Sequence, residues 1–285
     1  MELILGGKAA MLAQPTAKMN RVDYSKQVFL QPKLDGVRCL FTKNGAYTRR
    51  GNKFMNVAHL EAQLFEFFQL YPTVVLDGEL YNHDLKNDFD KIISLVRKTV
   101  NISPEDRTEA SELVQYHIYD MIDPTASYKA RFTALQSIPE VFNTTNVVIT
   151  ETYDVHKEEE VYNLHEEFKA QGYEGSMIRL NGVYENKRSY NLIKVKDFID
   201  FEAKVIGFAE GKGKLQGKLG KFIMKRLDNG KEFGAPASGH THAQRQELWE
   251  NKEQYIGTEW TVEAFEFTKT GAPRFPVLKS QRNYE

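Results

Sequence analysis

Cysteine is nearly absent from this chain: Cys39 is the one thiol in 285 residues. That excludes an internal disulfide framework and a cysteine-built zinc site. Lying in a predicted strand, it reads as a small core residue of a reducing compartment. An excess of either charge is missing too. The 38 Lys and Arg residues against 39 Asp and Glu leave a net charge of −1. Any nucleic-acid surface must therefore come from local segregation of charge. No apolar run approaches the length of a membrane span, and Met1 to Pro15 lacks the basic and apolar regions of a signal peptide. An intracellular protein without a membrane partner is expected. Repeats and low-complexity tracts are absent. His83, His117, His156, His165, His240 and His242 lack metal-ligand spacing with acids or cysteines; His240 and His242 read as turn residues.

What is present suffices for a core. Hydrophobic residues make up 41% of the chain and aromatics 12%, and the length suits one large or two modest domains. Val28–Gln31 reads as a strand delivering Lys33. Val37–Lys43 and Ala46–Arg50 flank Asn44-Gly45, a type I′ hairpin signal. Val57, Leu60, Leu64 and Phe67/Phe68 recur at helical spacing behind Asn56 as a candidate cap, stopping before Pro72. Thr73–Leu80 and Val114–Tyr119 read as strands, and Phe89–Val96 as an amphipathic helix. A helix through Val161, Leu164 and Phe168 ends at Gly172, before strands at Ser176–Leu180 and Asn191–Val195. These mixed elements predict an α+β domain over residues 1–199. From Asp200 the texture changes to short strands at Phe201–Phe208, Lys221–Leu227, Lys231–Ala235, Trp260–Phe267 and Val277–Lys279, with one helix at Ala243–Asn251. Residues 200–285 are expected to form a small β-barrel of oligonucleotide-binding type.

Charged and aromatic residues gather along those elements. Lys33-Leu34-Asp35-Gly36-Val37-Arg38 sets a lysine near a carboxylate and an arginine. A lysine with the ordinary pKa of about 10.4 is protonated at neutral pH and cannot attack phosphorus. Neighbouring cations such as Arg38, or a metal on the substrate, free its lone pair. Asp35 is suited to orient the amine or a ribose hydroxyl, and Gly36 lets the backbone pass close to a ligand. Thr48-Arg49-Arg50-Gly51 closes the hairpin. Adjacent arginines on a strand face opposite ways, so one can grip phosphate while the other meets solvent.

Leu76-Asp77-Gly78-Glu79-Leu80 holds two acids in an apolar strand, costly unless they bind a metal or ribose hydroxyls; Asp-Gly is also a turn former. Tyr119-Asp120 offers a ring that can stack on a base or pack in the core. Glu174-Gly175-Ser176-Met177-Ile178-Arg179 again joins an acid, a glycine and a strand carrying a basic residue. Lys194 and Lys196 share one strand face and repel unless an anion sits between them; Arg188 can join them. In the second domain Lys212, Lys214, Lys218, Lys221, Lys225 and Arg226 follow one another with no acid between, a pattern suited to tracking a phosphate backbone.

In this order the clusters resemble the covalent nucleotidyltransferase superfamily, and within it the small ATP-dependent DNA ligases of viral type. The resemblance runs from Gln14-Pro15 to Arg282. It rests on Lys33 to Arg38, Thr48-Arg49, Asp77 to Glu79, Tyr119-Asp120, Glu174-Gly175, Lys194 with Lys196, and Arg274-Phe275-Pro276. It implies an ATP-grasp-like adenylation domain followed by an OB-fold barrel, acting as a monomer with no obligate protein partner. Lys33 would attack the α-phosphate of ATP and form a lysyl–AMP phosphoramidate. Gln31, Asp35, Arg38, Arg49, Glu79 and Arg188 would bind the nucleotide, with Tyr119 stacked on adenine. Lys194 and Lys196 would neutralise the α-phosphate, Arg274 would orient pyrophosphate, and Glu79 and Glu174 would hold Mg2+ or Mn2+. AMP would pass to the 5′-phosphate of nicked double-stranded DNA lying against Arg49, Lys212, Lys214, Lys218 and Lys221.

Two positions depart from common patterns, with Gln31 where larger relatives often carry Glu and Tyr119 where Phe is common. No added N-terminal DNA-binding domain and no long insertion between Ile206 and Phe222 are expected. RNA ligases and mRNA capping guanylyltransferases share the lysine chemistry but usually differ in the barrel or its final motif. A non-catalytic single-strand-binding protein built on the barrel is the alternative of a different class.

Overall fold

A computed structural model describes residues 10–86, 88–136, 145–237, 240–264, 266–268 and 270–282. The first nine residues, read above for a signal sequence, and position 265 of the Trp260–Phe267 strand lie outside them. The chain falls into two compact units, Met1–Lys196 and Asp197–Glu285. Among the described residues no helix is long and apolar enough to cross a membrane.

The first unit is built on two five-stranded sheets. Its strands are β1 (Leu12–Gln14), β2 (Val28–Lys33), β3 (Val37–Thr42), β4 (Gly45–Tyr47), β5 (Leu76–Tyr81), β6 (Gln115–Met121), β7 (Val147–Ile149), β8 (Tyr153–Val155), β9 (Gly175–Leu180) and β10 (Arg188–Val195). One sheet has the order β1-β10-β9-β2-β8, the other β4-β3-β5-β6-β7. Among the described residues the unit also carries helices α1 (Ala58–Gln63), α2 (Phe65–Leu70), α3 (Phe89–Val96), α4 (Pro104–Leu113), α5 (Tyr128–Gln136) and α6 (Glu158–Gln171). Three glutamates in the first turn of α6 suit the positive end of its dipole, and Gly172 ends it at φ 94°.

Alternation along the strands gives each sheet one apolar and one polar face. Val28, Leu30, Ile178, Ile193 and Val195 pack against Val161 and Phe168 of α6, so Gln31 and Lys33 of β2 face the other way. In the second sheet Cys39, Phe41, Leu76, Leu80, Tyr116 and Ile118 face a core shared with Leu60, Phe67, Ile92 and Ala110 of the helices. Cys39 is wholly buried there, a packing group. Arg38, Asp77 and Glu79 alternate to the opposite face. Each fully buried Leu or Phe contributes about 1.5–3 kcal/mol, and these two layers fasten each sheet to its helices.

Three local expectations change. The helical run behind Asn56 breaks at Leu64 into two short helices. Asn56 caps neither; its amide donates to the carbonyls of Leu95 and Asp106 at 3.1 and 3.2 Å. β4 stops at Tyr47, so Arg49 and Arg50 stand in an exposed turn rather than on two faces of a strand.

The second unit carries β11 (Ile199–Glu210), β12 (Leu219–Arg226), β13 (Glu232–Pro236), β14 (Glu259–Ala264), β15 (Glu266–Phe267), β16 (Pro273–Arg274) and β17 (Val277–Gln281), with helix α7 (His242–Glu250). Five strands form an antiparallel sheet in the order β13-β12-β11-β14-β17. Its end strands β13 and β17 approach one another, but among the described residues the ladder does not close the expected barrel. Its core gathers Phe222, Met224, Trp260, Val262 and Leu278. Thr241 caps α7 through a capping box with Gln244.

Candidate active site

The register of the first sheet assembles the charged cluster. Lys33 stands opposite Gly175 across β2 and β9, and Gln31 opposite Met177, which itself stands opposite Lys194 on β10. Period-two alternation then puts Lys33, Lys194 and Lys196 on one face. Glu174 enters that face at the head of β9, its amide donating to the Lys33 carbonyl at 3.0 Å. Gly175 makes this possible. Its φ is +146°, and a Cβ there would sit 2.4 Å from the Val195 carbonyl oxygen. The Glu174 carboxylate bridges two ammonium groups, one oxygen meeting Lys33 Nζ and the other Lys196 Nζ. Lys194 lies beside them; burial, then repulsion from Lys33 and Arg188, lowers its pKa.

The second sheet contributes Glu79, Arg38 and Tyr119. A bulge in β6 lets Asp77 pair with Asp120 and Gly78 with Ile118, leaving Tyr119 unmatched. Bulges re-aim side chains beside sites, and here the Tyr119 hydroxyl donates to the Glu79 carboxylate at 3.2 Å. The Arg179 guanidinium lies 5.1 Å from the Tyr119 ring centre and that of Arg38 5.9 Å. Gly36 serves a close approach within the protein: a Cβ there would meet the Leu80 carbonyl oxygen at 2.4 Å and Glu79 Cγ at 2.7 Å.

Glu79 is the electrostatically exposed point of the cluster. Burial pushes its carboxyl up to about 7, against Lys33, Arg38 and the Tyr119 hydroxyl, which pull it down. From the ordinary value of 4.5 up to about 7, the folded state holds a proton that the unfolded chain has released. Stability from this group is therefore present at low pH and lost as pH rises through that window. Glu79→Gln should be more stable than the parent above pH 7, by about 1–3 kcal/mol, and no more stable below about pH 4.5. Thermal melts at the two ends of the range check this; a gap that ignores pH would contradict it.

Other residues singled out from the sequence have partners of a different kind. Asp77, read as a ligand for metal or ribose, is held by the protein. Arg38 Nε donates to it at 2.9 Å and the Tyr184 hydroxyl at 2.7 Å. Arg38 also donates to the Met11 carbonyl at 2.7 Å, so its charge is answered by Asp77 before any substrate arrives. The Gln31 amide donates to the Tyr128 and Thr152 hydroxyls at 2.9 and 2.8 Å and accepts from Arg179 Nε. Arg179 and Arg131 share Asp120. Sequence reasoning gave no role to Arg131, Tyr128, Thr152 or Tyr184.

Asp35 is half-buried in the loop after β2. Arg188 is exposed and donates to the Ala13 carbonyl. Arg49 is exposed in the turn beyond β4. Arg274 belongs to the second unit, its guanidinium 5.6 Å from the ring of Phe275, which holds a φ of 51°. Lys212, Lys214 and Lys221 are exposed and Lys218 half-buried. Arg226 leaves that basic run: it is buried, bound to Asp228 and the Gly271 carbonyl, and 3.5 Å from the Phe267 ring centre.

Residues 10–196 match the family described as ATP dependent DNA ligase domain, and residues 210–282 the DNA ligase OB-like domain. A DNA ligase of African swine fever virus is 28% identical over 268 residues, covering 86% of this chain and 61% of the viral protein. The chain thus spans about three-fifths of that relative's length. A DNA ligase of Haemophilus influenzae is 26% identical over 247 residues, covering 86% of this chain and 83% of its own. Among solved structures, a Lig E DNA ligase described as binding DNA with a minimal scaffold superposes with a TM-score of 0.80 at 25% identity, covering 96% of this chain and 98% of that one. The Chlorella virus DNA ligase–adenylate shares the fold at 24% identity and a TM-score of 0.52, covering 97% and 98%.

Proposed function

Because the chain belongs to the ATP-dependent DNA ligase family, we propose that it seals nicks in duplex DNA through a covalent adenylate on Lys33. The observation that carries this reading is the set Lys33, Lys194, Lys196 and Glu174 on one sheet face. Attack on the α-phosphate of ATP needs the neutral amine, so Lys33 would have to leave its ion pair with Glu174, which favours the ammonium form, while the flanking lysines work the other way. The amine would form the N–P bond as the bond to pyrophosphate breaks. Lys194 and Lys196 would meet charge developing on the phosphoryl oxygens. Tyr119 would stack on adenine, with Gln31 and Arg179 fixing the strand and ring beside it. Arg38 and Glu79 would reach the ribose. AMP would then pass to the 5′-phosphate of the nick, and the 3′-hydroxyl would displace it to close the strand.

Glu79 and Glu174 are the carboxylates that would hold Mg2+ or Mn2+. A carboxyl kept near neutrality by burial fits such a cation, which would return it to the charged form. When bound, the metal would neutralise the leaving pyrophosphate.

The test is retention of label. Protein mixed with α-labelled ATP and magnesium, then denatured, should keep the label and release it to a sealed strand on addition of nicked DNA. Label taken from GTP instead would point to capping chemistry, and no label to a binding module. In the second unit Lys212, Lys214, Lys218 and Lys221 would track the DNA backbone. Lys212→Gln and Lys214→Gln should each lower the log–log salt slope of nicked-duplex binding by about 0.9. A flat salt titration of the parent would exclude that role.

A further inference from the structure

Beyond the lysine–glutamate cluster, the first unit carries cations that the proposed adenylation does not use. The short 3-10 helix Thr16–Arg21 is tied to β10. The Thr16 hydroxyl donates to the Lys194 carbonyl at 3.0 Å and accepts from the Lys196 amide at 3.1 Å. Its far end brings the Arg21 guanidinium to 4.9 Å from the centre of the Tyr190 ring. Arg21 is exposed and Tyr190 is 41% exposed. Neither Arg21 nor Lys18, on the same short helix, pairs with an acid among the described residues.

Tyr190 is turned outward by the backbone. β1 and β10 run parallel, but their register passes from Ser189 to Ile193 over the single step Ala13 to Gln14. Tyr190, Asn191 and Leu192 are thus passed over on the β1 side, while Leu192 already pairs with Arg179 of β9. Leu192 turns inward to pack with Met11 and Tyr184, while Tyr190 stays in solvent. A bulge of this kind re-aims a side chain beside a site. Arg188 is exposed on the same strand, and its charge reaches Lys194. Arg21, Arg188 and Lys194 therefore accompany β10 from the cleft to the surface, and Lys18 lies on the short helix tied to that strand. Cations gathered in this way repel unless a polyanion lies along them, and a guanidinium stacked on a ring presents a charge and an aromatic surface together.

We infer that this strip, with the Arg21–Tyr190 stack at its outer end, is where the first unit grips the sugar–phosphate backbone of duplex DNA next to the reacting phosphate. The inference rests on the ligase reading and supplies it with a DNA surface on the first unit other than Arg49.

The test is binding of the 285-residue chain to a nicked duplex, followed by fluorescence anisotropy across a salt series, with label uptake from ATP measured on the same preparations. Arg21→Gln should lower the log–log slope by about 0.9 and weaken binding about 3–10-fold near 0.1 M salt. Tyr190→Leu should weaken binding with a smaller change of slope, and Tyr190→Phe should bind as the parent does. Lys26→Gln, which removes an exposed cation already paired with Asp23, should leave the slope where it was. Unchanged slope and affinity in Arg21→Gln and Tyr190→Leu, with label uptake intact, would overturn this surface alone. Loss of binding in Tyr190→Phe equal to that in Tyr190→Leu would overturn the stacking. Failure of the parent to take up label would sink the ligase reading instead.

Discussion

Lys33→Ala is expected to carry no AMP after incubation with ATP and magnesium, and to lose more than about 10⁴-fold in nick sealing, the scale seen when a covalent nucleophile is removed. The loss should be chemical rather than structural. The Lys33 side chain is 21% exposed and belongs to no apolar cluster, while Glu174 keeps Lys196 as a partner without it. Stability should move by less than about 1 kcal/mol. A second arm separates the steps. Sealing a nick whose 5′-phosphate already carries AMP forms the phosphodiester from the 3′-hydroxyl and needs no lone pair on Lys33. The alanine variant should retain that reaction far better than the complete one. Intact-protein mass spectrometry reads the first arm and gel resolution of the sealed strand the second. An adduct that persisted in Lys33→Ala would remove the amine from the mechanism.

The residues of this prediction were legible for a simple reason. Lys33, Glu174, Lys194 and Lys196 sit on or at the ends of strands, where alternation with Leu30, Ile178, Ile193 and Val195 says which side each must take. Glu79 was legible for its cost, because an acid in an apolar strand needs a partner. The same argument does not say which partner. Asp77 satisfies it with Arg38 and with Tyr184, 107 residues away, so half of the Asp-Gly-Glu cluster turned out to be held by the protein. Two helices were missed because their buried stripes are not apolar. α5 buries Arg131 and Tyr128 with Leu135, and α4 buries only Ala110. α4 did carry a readable start, since Ser103 caps it through Asp106 with Pro104 at the first turn. A search for caps would have found what periodicity could not. The turn at Arg49 was misread because a strand was extended past its last paired residue.

Asp120→Ala is expected to cost about 3–5 kcal/mol of folding stability, the range for removing one partner of a buried charge pair. Asp120 is fully buried and accepts from Arg131 Nε at 2.7 Å, Arg131 Nη2 at 3.0 Å and Arg179 Nη1 at 2.9 Å. Both guanidinium groups are nearly inaccessible, so neither can turn to water once the carboxylate is gone. Arg131 would keep the carbonyls of Ala126 and Gly182, and Arg179 would keep Gln31, but the one carboxylate in contact with both guanidinium groups would be gone, leaving only the more distant charges of Asp77 and Asp123. Asp23→Ala is the control: its pair with Lys26 is exposed on both sides, so its loss should be small beside that of Asp120→Ala. Urea unfolding with an unchanged m-value measures both; a cost below about 1 kcal/mol for Asp120→Ala would remove the network from the account of stability. The network also supports Tyr119, which precedes Asp120 on the bulge and has Arg179 beside its ring. Replacing Asp120, Arg131 and Arg179 together by apolar residues of similar volume should restore most of the stability. It should not restore ATP affinity, because the Tyr119 ring proposed to stack on adenine would then lack the Arg179 guanidinium beside it, and Gln31 the Arg179 Nε that it accepts from. Recovery of both would mean the buried charges serve the fold alone.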